Sequence, residues 1–395
     1  MANRHDFKTE AEALQAQLVA WRRDFHMHPE LGFEEHRSAG IVAEQLRVLG
    51  YQVQTGIAST GVLGLLKGAR PGPVLAARFD MDALPITEEN EVEYASREPG
   101  LMHACGHDAH MAIGLGLATL MAQQRDEIAG TLMLIFQPGE EGMNGAEVMV
   151  KEGVLADPRP DVFLAAHVWS DSPVGTINVS SGPVMAAAER WACTVTGKGG
   201  HGALPHQTID PIVAAAQIIG VLQTIVSRNV SPQETAVVTV GAIQGGDAFN
   251  VIPAQVTMSG TIRTYNPNVR EMVIRRVREV VEKTAAACGA QANLNIEQLT
   301  PAVINDAEIA QIVHSAAETL VGADHVFSGE RTMGSEDAAY FMEQVPGCYF
   351  FLGAGPPGQE APAPHHNPRF DIDEAVLSIG VAILAQTLAY YLLRQ

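Results

Sequence analysis

Short apolar runs alternate with helical stretches along most of this chain, and that alternation commits it to an α/β sheet covered by helices. The β-rich runs fall at 62–66, 74–79, 131–136 and 162–167, with helical stretches at 109–124 and 146–151. Two helices over 7–26 and 34–49 precede them, separated by Pro29 and Gly32 and closed by Gly50. After Gly182 the order becomes strand (190–196), helix (211–227), strand (236–244), strand (255–265), helix (267–287) and strand (292–298). This is a β-α-β-β-α-β unit, the ferredoxin-like plan. The α/β pattern then resumes, with helices over 306–320 and 336–344, a strand over 348–352 and a final helix. The expected organisation is an α/β domain from 1–185 and 300–395 with a central, mostly parallel sheet, and an inserted βαββαβ domain over 186–299.

Composition narrows the partners. With 395 residues, 47% apolar and 18% charged, the chain is long enough for two to three domains and too apolar for disorder. Acidic residues outnumber basic ones by 45 to 25, a net charge of −20, so nucleic acid and anionic membranes are poor partners. Residues 1–10 are polar, with no apolar signal core, and four widely spaced cysteines are too few for a disulfide scaffold. A cytosolic protein with free thiols is the expectation. The charge-free stretch 375–393 approaches membrane-spanning length, but Ser378, Gly380, Gln386 and Thr387 interrupt it, and it reads as a buried packing helix.

Chemistry-bearing residues gather at strand ends. In Met102-His103-Ala104-Cys105-Gly106-His107-Asp108-Ala109-His110, a turn at Gly106 can aim Cys105 and His107 at one ion; a nucleophilic thiol and a purely structural segment are the other readings. Gln137-Pro138-Gly139-Glu140-Glu141 follows a strand, so one carboxylate can bind metal while the other takes a proton from water; the alternative is a solvated acidic turn. His167 ends an apolar run, and His365-His366-Asn367-Pro368 follows a proline-rich loop. Each alone is as readily a core or loop histidine, but together they give Cys, His, Glu, His and His plus a spare Glu, a set suited to two metals sharing a water. Asp80 or Asp82 can orient ligand imidazoles, or cap a turn. In the inserted domain His201 sits in a glycine loop, Asn250 in another loop and Arg263 on a strand; Asn and Arg suit a substrate carboxylate, surface structure being the alternative.

These motifs, with Arg78-Phe79-Asp80-Met81-Asp82-Ala83-Leu84-Pro85-Ile86, the glycine-rich run 197–202, Met333-Gly334-Ser335-Glu336-Asp337 and His366-Asn367-Pro368, resemble the dinuclear metal amidohydrolases of the aminoacylase/carboxypeptidase superfamily. The branch most similar is that of hippurate hydrolase, N-acyl-amino-acid amidohydrolase and the indole-acetyl-amino-acid hydrolases. The resemblance implies Cys105, His107, Glu141, His167 and His366 as metal ligands and Glu140 as general base. It implies His201 as an oxyanion donor supplied across a dimer, Asn250 and Arg263 as holders of the substrate carboxylate, and the inserted domain as a lid that also dimerises. Phe79 departs from the usual Ala, and His365 stands where the branch commonly has Leu, so His366 is chosen by its place before Asn367-Pro368.

The expected activity is hydrolysis of N-acyl amino acids by a cytosolic homodimer, or tetramer, holding two divalent ions, Mn or Zn with Ni and Co as alternatives. A carboxypeptidase or dipeptidase of the same superfamily is the competing specificity. A metal-free amidase built on Cys105 with His107 or His110 is another reading, and a non-catalytic binding protein a further one.

Overall fold

Helix starts are written into the sequence. Asp6, Asp210, Asn266 and Asp306 each accept backbone N–H groups from the first turn that follows them, and Pro211 and Pro267 open two of those helices where no N–H is needed. The computed structural model describes residues 5–356, 358 and 362–393; Pro357 and 359–361 of the proline-rich loop lie outside the described residues. The chain runs through α1 (Phe7–Ala13), α2 (Gln15–Met27), α3 (His36–Val48), β1 (Gln52–Ile57), β2 (Gly61–Lys67), β3 (Arg70–Asp80), α4 (His107–Gln123), β4 (Ala129–Gln137) and β5 (Val162–Pro173). Then come β6 (Ala187–Thr196), α5 (Pro211–Arg228), β7 (Ala236–Gln244), β8 (Gln255–Thr264), α6 (Pro267–Ala287) and β9 (Gln291–Thr300). The last main elements are α7 (Ala307–Val321), β10 (Gly347–Gly355) and α8 (Val376–Leu392).

Two compact units result: Met1–Val184 with Ile304–Glu330 and Asp337–Gln395, and Met185–Val303 with Arg331–Glu336. The sequence pattern puts the boundaries at 185/186 and 299/300; the units divide at 184/185 and 303/304 and give the short segment Arg331–Glu336 to the second.

The first unit is built on an eight-stranded sheet in the order β1-β2-β4-β3-β5-β10, followed by the short strands Ile177–Asn178 and Val326–Phe327. The pairs β3–β4, β3–β5 and β5–β10 are parallel, while β1–β2 and β2–β4 are antiparallel. Strands covered on both faces must be apolar throughout, and Leu132, Met133, Leu134, Ile135 and Phe136 of β4 are all fully buried. Helix α8 packs against α1, α4 and α7 with most of its residues buried, which accounts for its lack of charge. Three sequence expectations are corrected. The helix over 7–26 is two helices that meet at Leu14, the helix over 336–344 shrinks to Ala339–Met342, and β1, too polar to show an apolar run, was not foreseen.

The second unit pairs its strands antiparallel in the order β7-β8-β6-β9, with α5 and α6 joining them. Both helices bury a 3.6-period stripe, Ala214, Ala215, Ile218, Leu222 and Ile225 in α5 and Val273, Val277, Val280 and Val281 in α6. Helix α5 is long and apolar enough to cross a membrane by length and composition, but this stripe joins the apolar core of the unit.

The parallel strands deliver the chemistry to one edge of the sheet. β3 ends at Asp80 opposite Gln137, the last residue of β4, and His167 on β5 lies opposite Phe351 on β10. Ligands of open α/β sheets bind outside the carboxyl ends of such strands.

Candidate metal centre

Gly106 separates Cys105 from His107 with a φ of +89°, and a Cβ there would meet Val168 Cγ2 at 2.3 Å, so only glycine makes this turn. His107 is then the first residue of α4, and Cys105 stands at the end of the loop before it. Gly139, with φ +60°, makes the corresponding turn between β4 and Glu140-Glu141.

Hydrogen bonds fix which imidazole atoms are available. His107 Nδ1 donates to the carbonyl of Asp82 at 2.8 Å, so in the neutral ring Nε2 carries the lone pair. That Nε2 is buried and has no hydrogen-bond partner among the described residues. His167 Nδ1 donates to the carbonyl of Val168 at 2.7 Å, and its Nε2 lies 3.5 Å from Cys105 Sγ. His366 Nε2 comes within 3.2 Å of Glu141 Oε1. His366 itself has a φ of +65°, a conformation that costs a non-glycine residue free energy and persists where surroundings impose it.

The donors fall into interlocking groups whose atoms lie within 4.8 Å of one another: Cys105 with His107 and His167, Cys105 with Glu141 and His366, and His107 with Glu140 and Glu141. Cys105 belongs to the first two and His107 to the first and third. A thiol, two imidazoles with Nε2 exposed to the cluster, a third imidazole and two carboxylates form a donor set that fits borderline divalent cations. The electrostatics agree. Burial and the neighbouring Glu141 push the Cys105 thiol well above its usual range, and burial with two nearby imidazoles pushes His167 well below its own. A divalent cation at that point would draw the thiol back toward its thiolate and hold the imidazole neutral, the form in which each binds metal.

Behind these atoms lies a supporting layer. Asp82 accepts the Glu141 N–H through Oδ2 at 2.9 Å while its carbonyl holds His107. Asp80 accepts from His110 Nδ1 at 2.5 Å and from Arg78 Nη1 at 2.6 Å. Since His110 Nε2 accepts the N–H of Val168 at 3.0 Å, His110 is spent on both ring nitrogens and ties Asp80 to the strand residue after His167. Arg78 also reaches Gln137 and Asp337, so β3, β4 and the segment beginning at Asp337 are joined beneath the cluster. His365 lies 3.8 Å from Cys105 Sγ and takes part in none of the donor groups; burial holds it down to about 3, so it is a neutral ring beside the site.

Residues that the sequence reading did not single out for a role hold α4 in place. Fully buried Arg22 pairs with Asp108 at 2.8 Å and Asp371 at 2.8 Å, and His26 Nδ1 meets Asp108 at 2.7 Å. Asp108 is next to His107, so this network pins the start of α4. A charged pair such as Arg22 and Arg23 on an early helix gives no sign in one dimension that its partners lie more than eighty residues away.

The second unit carries the other candidates. His201 and Val251 are paired in a two-stranded ribbon, and Asn250 is exposed beside it. His201 Nδ1 accepts the Ala203 N–H at 3.0 Å, which leaves the proton of the neutral ring on Nε2. Arg263 is half-buried on β8 and donates to the carbonyl of Ile262 at 3.1 Å.

Residues 76–390 match the family model for peptidase family M20/M25/M40. The chain belongs to this family. It is 40% identical over 380 residues to the N-acetylcysteine deacetylase of Bacillus subtilis, covering 95% of this chain and 97% of that protein. It is 38% identical over 379 residues to IAA-amino acid hydrolase ILR1-like 2 of Arabidopsis thaliana, covering 95% and 85%, and 37% identical over 377 residues to thermostable carboxypeptidase 2 of Saccharolobus solfataricus, covering 94% and 95%. Among solved structures, the Bacillus subtilis YXEP protein, described as a dinuclear metal binding peptidase, superimposes with a TM-score of 0.84 at 36% identity, covering 96% of this chain and 98% of that one. This family member is a metal-dependent hydrolase of amide bonds.

Proposed function

We propose that this family member hydrolyses N-acyl amino acids to a carboxylic acid and a free amino acid, with two divalent ions held by Cys105, His107, Glu141, His167 and His366. The observation that carries the reading is the pair of donor groups sharing Cys105, with Glu140 grouped beside Glu141 and His107. Ions held there would supply acidification of a water and polarisation of an amide carbonyl. Glu140 takes the proton of the attacking water and returns it to the leaving nitrogen, without which an amine does not depart. His201, with its proton on Nε2, donates to the developing oxyanion of the neighbouring subunit's substrate. Asn250 and Arg263 bind the substrate carboxylate.

Several features support the details. Edge strand β7 exposes Val237 and Ile243, and α5 exposes Ile212, Val213, Val221 and Val226, an apolar surface suited to a homodimer. Four free cysteines suit the cytosol. The metal-free thiol amidase is disfavoured, because a catalytic thiol needs a depressed pKa and Cys105 has the opposite. The identity to a protein named carboxypeptidase keeps C-terminal peptide bonds as a second specificity, since these too join an acyl group to an amino acid bearing a free carboxylate.

The test is a panel of N-acetyl, N-benzoyl and other arylacyl amino acids beside dipeptides, assayed with Mn and with Zn. The expected result is a kcat/KM at least tenfold higher for an N-acyl amino acid than for any dipeptide; the reverse order selects the peptidase. For the cross-subunit histidine, mixing inactive His201→Ala and Glu140→Gln subunits is expected to restore part of the activity. Subunit exchange without recovery rejects the role in trans.

A further inference from the structure

Glu35 is a buried acid that the proposed mechanism does not use. It has no exposure to solvent, and it forms no ion pair among the described residues. Oε1 accepts the N–H of Gly139 at 2.9 Å, and Oε2 accepts the Thr60 hydroxyl at 2.5 Å. Burying a carboxyl group without a cation is costly, and here burial lifts it to about 7. Such a group persists where its acceptor atoms are needed.

What it holds is the turn that aims Glu140 and Glu141. A Cβ at Gly139 would meet the Phe33 ring at 3.2 Å, so the segment 32–35 lies against this turn. The surrounding backbone is strained. Five non-glycine residues have left-handed φ among the described residues: Phe33, Ala58 and Ser59 in the two loops flanking Glu35 and Thr60, Asn144 at the end of the turn, and His366 in the donor set. Glu152 accepts the Ala58 N–H at 2.7 Å, and the Ser59 hydroxyl reaches the Phe33 carbonyl at 3.4 Å, which links the loops to each other. Strain at such residues is retained only where the surroundings over-determine it.

We propose that Glu35 is the positioning residue for the Glu140–Glu141 turn, acting through the Gly139 N–H with Thr60 orienting its carboxyl group. This rests on the roles given above to Glu140 and Glu141. What the turn requires is a hydrogen-bond acceptor, so Glu35→Gln, which keeps a carbonyl oxygen, and Glu35→Met, which fills similar space without an acceptor, separate the role from simple packing.

Two readouts test it. In metal-free protein, hydrogen exchange of the 137–144 segment is expected to rise at least tenfold in Glu35→Met and stay within about threefold of wild type in Glu35→Gln. In metal-loaded enzyme, Glu35→Met is expected to lose about 10–100-fold in kcat, the range for groups supporting a metal site, with KM within about threefold. Glu35→Gln is expected to recover most of that loss. Unchanged exchange in folded Glu35→Met, or Gln as impaired as Met, overturns the proposal. If Glu35→Met does not fold, the Gly139 amide in Glu35→Gln decides: protection as in wild type supports the role, and exchange at the rate of a free amide overturns it. A wild-type enzyme inactive on every N-acyl amino acid would sink the functional reading while leaving the exchange result standing.

Discussion

Glu140→Gln is expected to lower kcat by about 10²–10⁴-fold, the usual contribution of a general acid–base group, while the metal content per chain stays at the wild-type level. The two adjacent glutamates are placed differently. Glu141 has its N–H held by Asp82 and its Oε1 within 3.2 Å of His366 Nε2, so it is committed to the donor cluster. Glu140 shares a donor group with His107 and Glu141 but not with Cys105 or His366, which suits a carboxylate that handles protons. Because Gln is isosteric and cannot accept a proton, the variant separates the roles. Metal loss in Glu140→Gln together with proton-transfer failure in Glu141→Gln would show that the roles are exchanged.

The second large effect concerns stability. Asp80→Ala is expected to destabilise the fold by about 3–5 kcal/mol, read as a shift of the urea midpoint, because it removes a fully buried carboxylate that Arg78 and His110 share. Asp80 is fully buried, and although burial favours its neutral form, Arg78, His107 and His110 hold its carboxyl well below the usual range. Removing it strands the His110 Nδ1 proton and takes one of the carboxylates from Arg78. Asp80→Asn, which keeps an acceptor, is expected to lose less. A loss below about 1 kcal/mol in Asp80→Ala would show that the network beneath the site carries little of the fold.

Much of this architecture was legible in one dimension, for identifiable reasons. Parallel strands buried on both faces must read as unbroken apolar runs, and 131–136 does so. The change of element order after Gly182 is visible in the sequence because one strand-helix pattern gives way to a β-α-β-β-α-β one. Strand β1 escaped because an edge strand with exposed Gln52, Gln54 and Thr55 carries no apolar run. The break at Leu14 escaped because helical periodicity passes through it. Among the clustered donor atoms, Cys105, His107 and Glu140-Glu141 stand beside glycine turns that mark them in the sequence. His110 stood in the same run, but nothing in the sequence shows that both of its nitrogens are engaged. Glu35 was invisible for a different reason: a Glu at the start of a helix has an ordinary explanation, and its contact with Gly139 spans 104 residues.

Hydrolysis is expected to depend on metal held by the cluster around Cys105. Elemental analysis of the purified protein, with amide hydrolysis followed through chelation and re-addition of Mn or Zn, tests it directly. About two ions per chain are expected, with loss of activity as they are removed and its return on re-addition. Hydrolysis that survives complete removal of metal would contradict it.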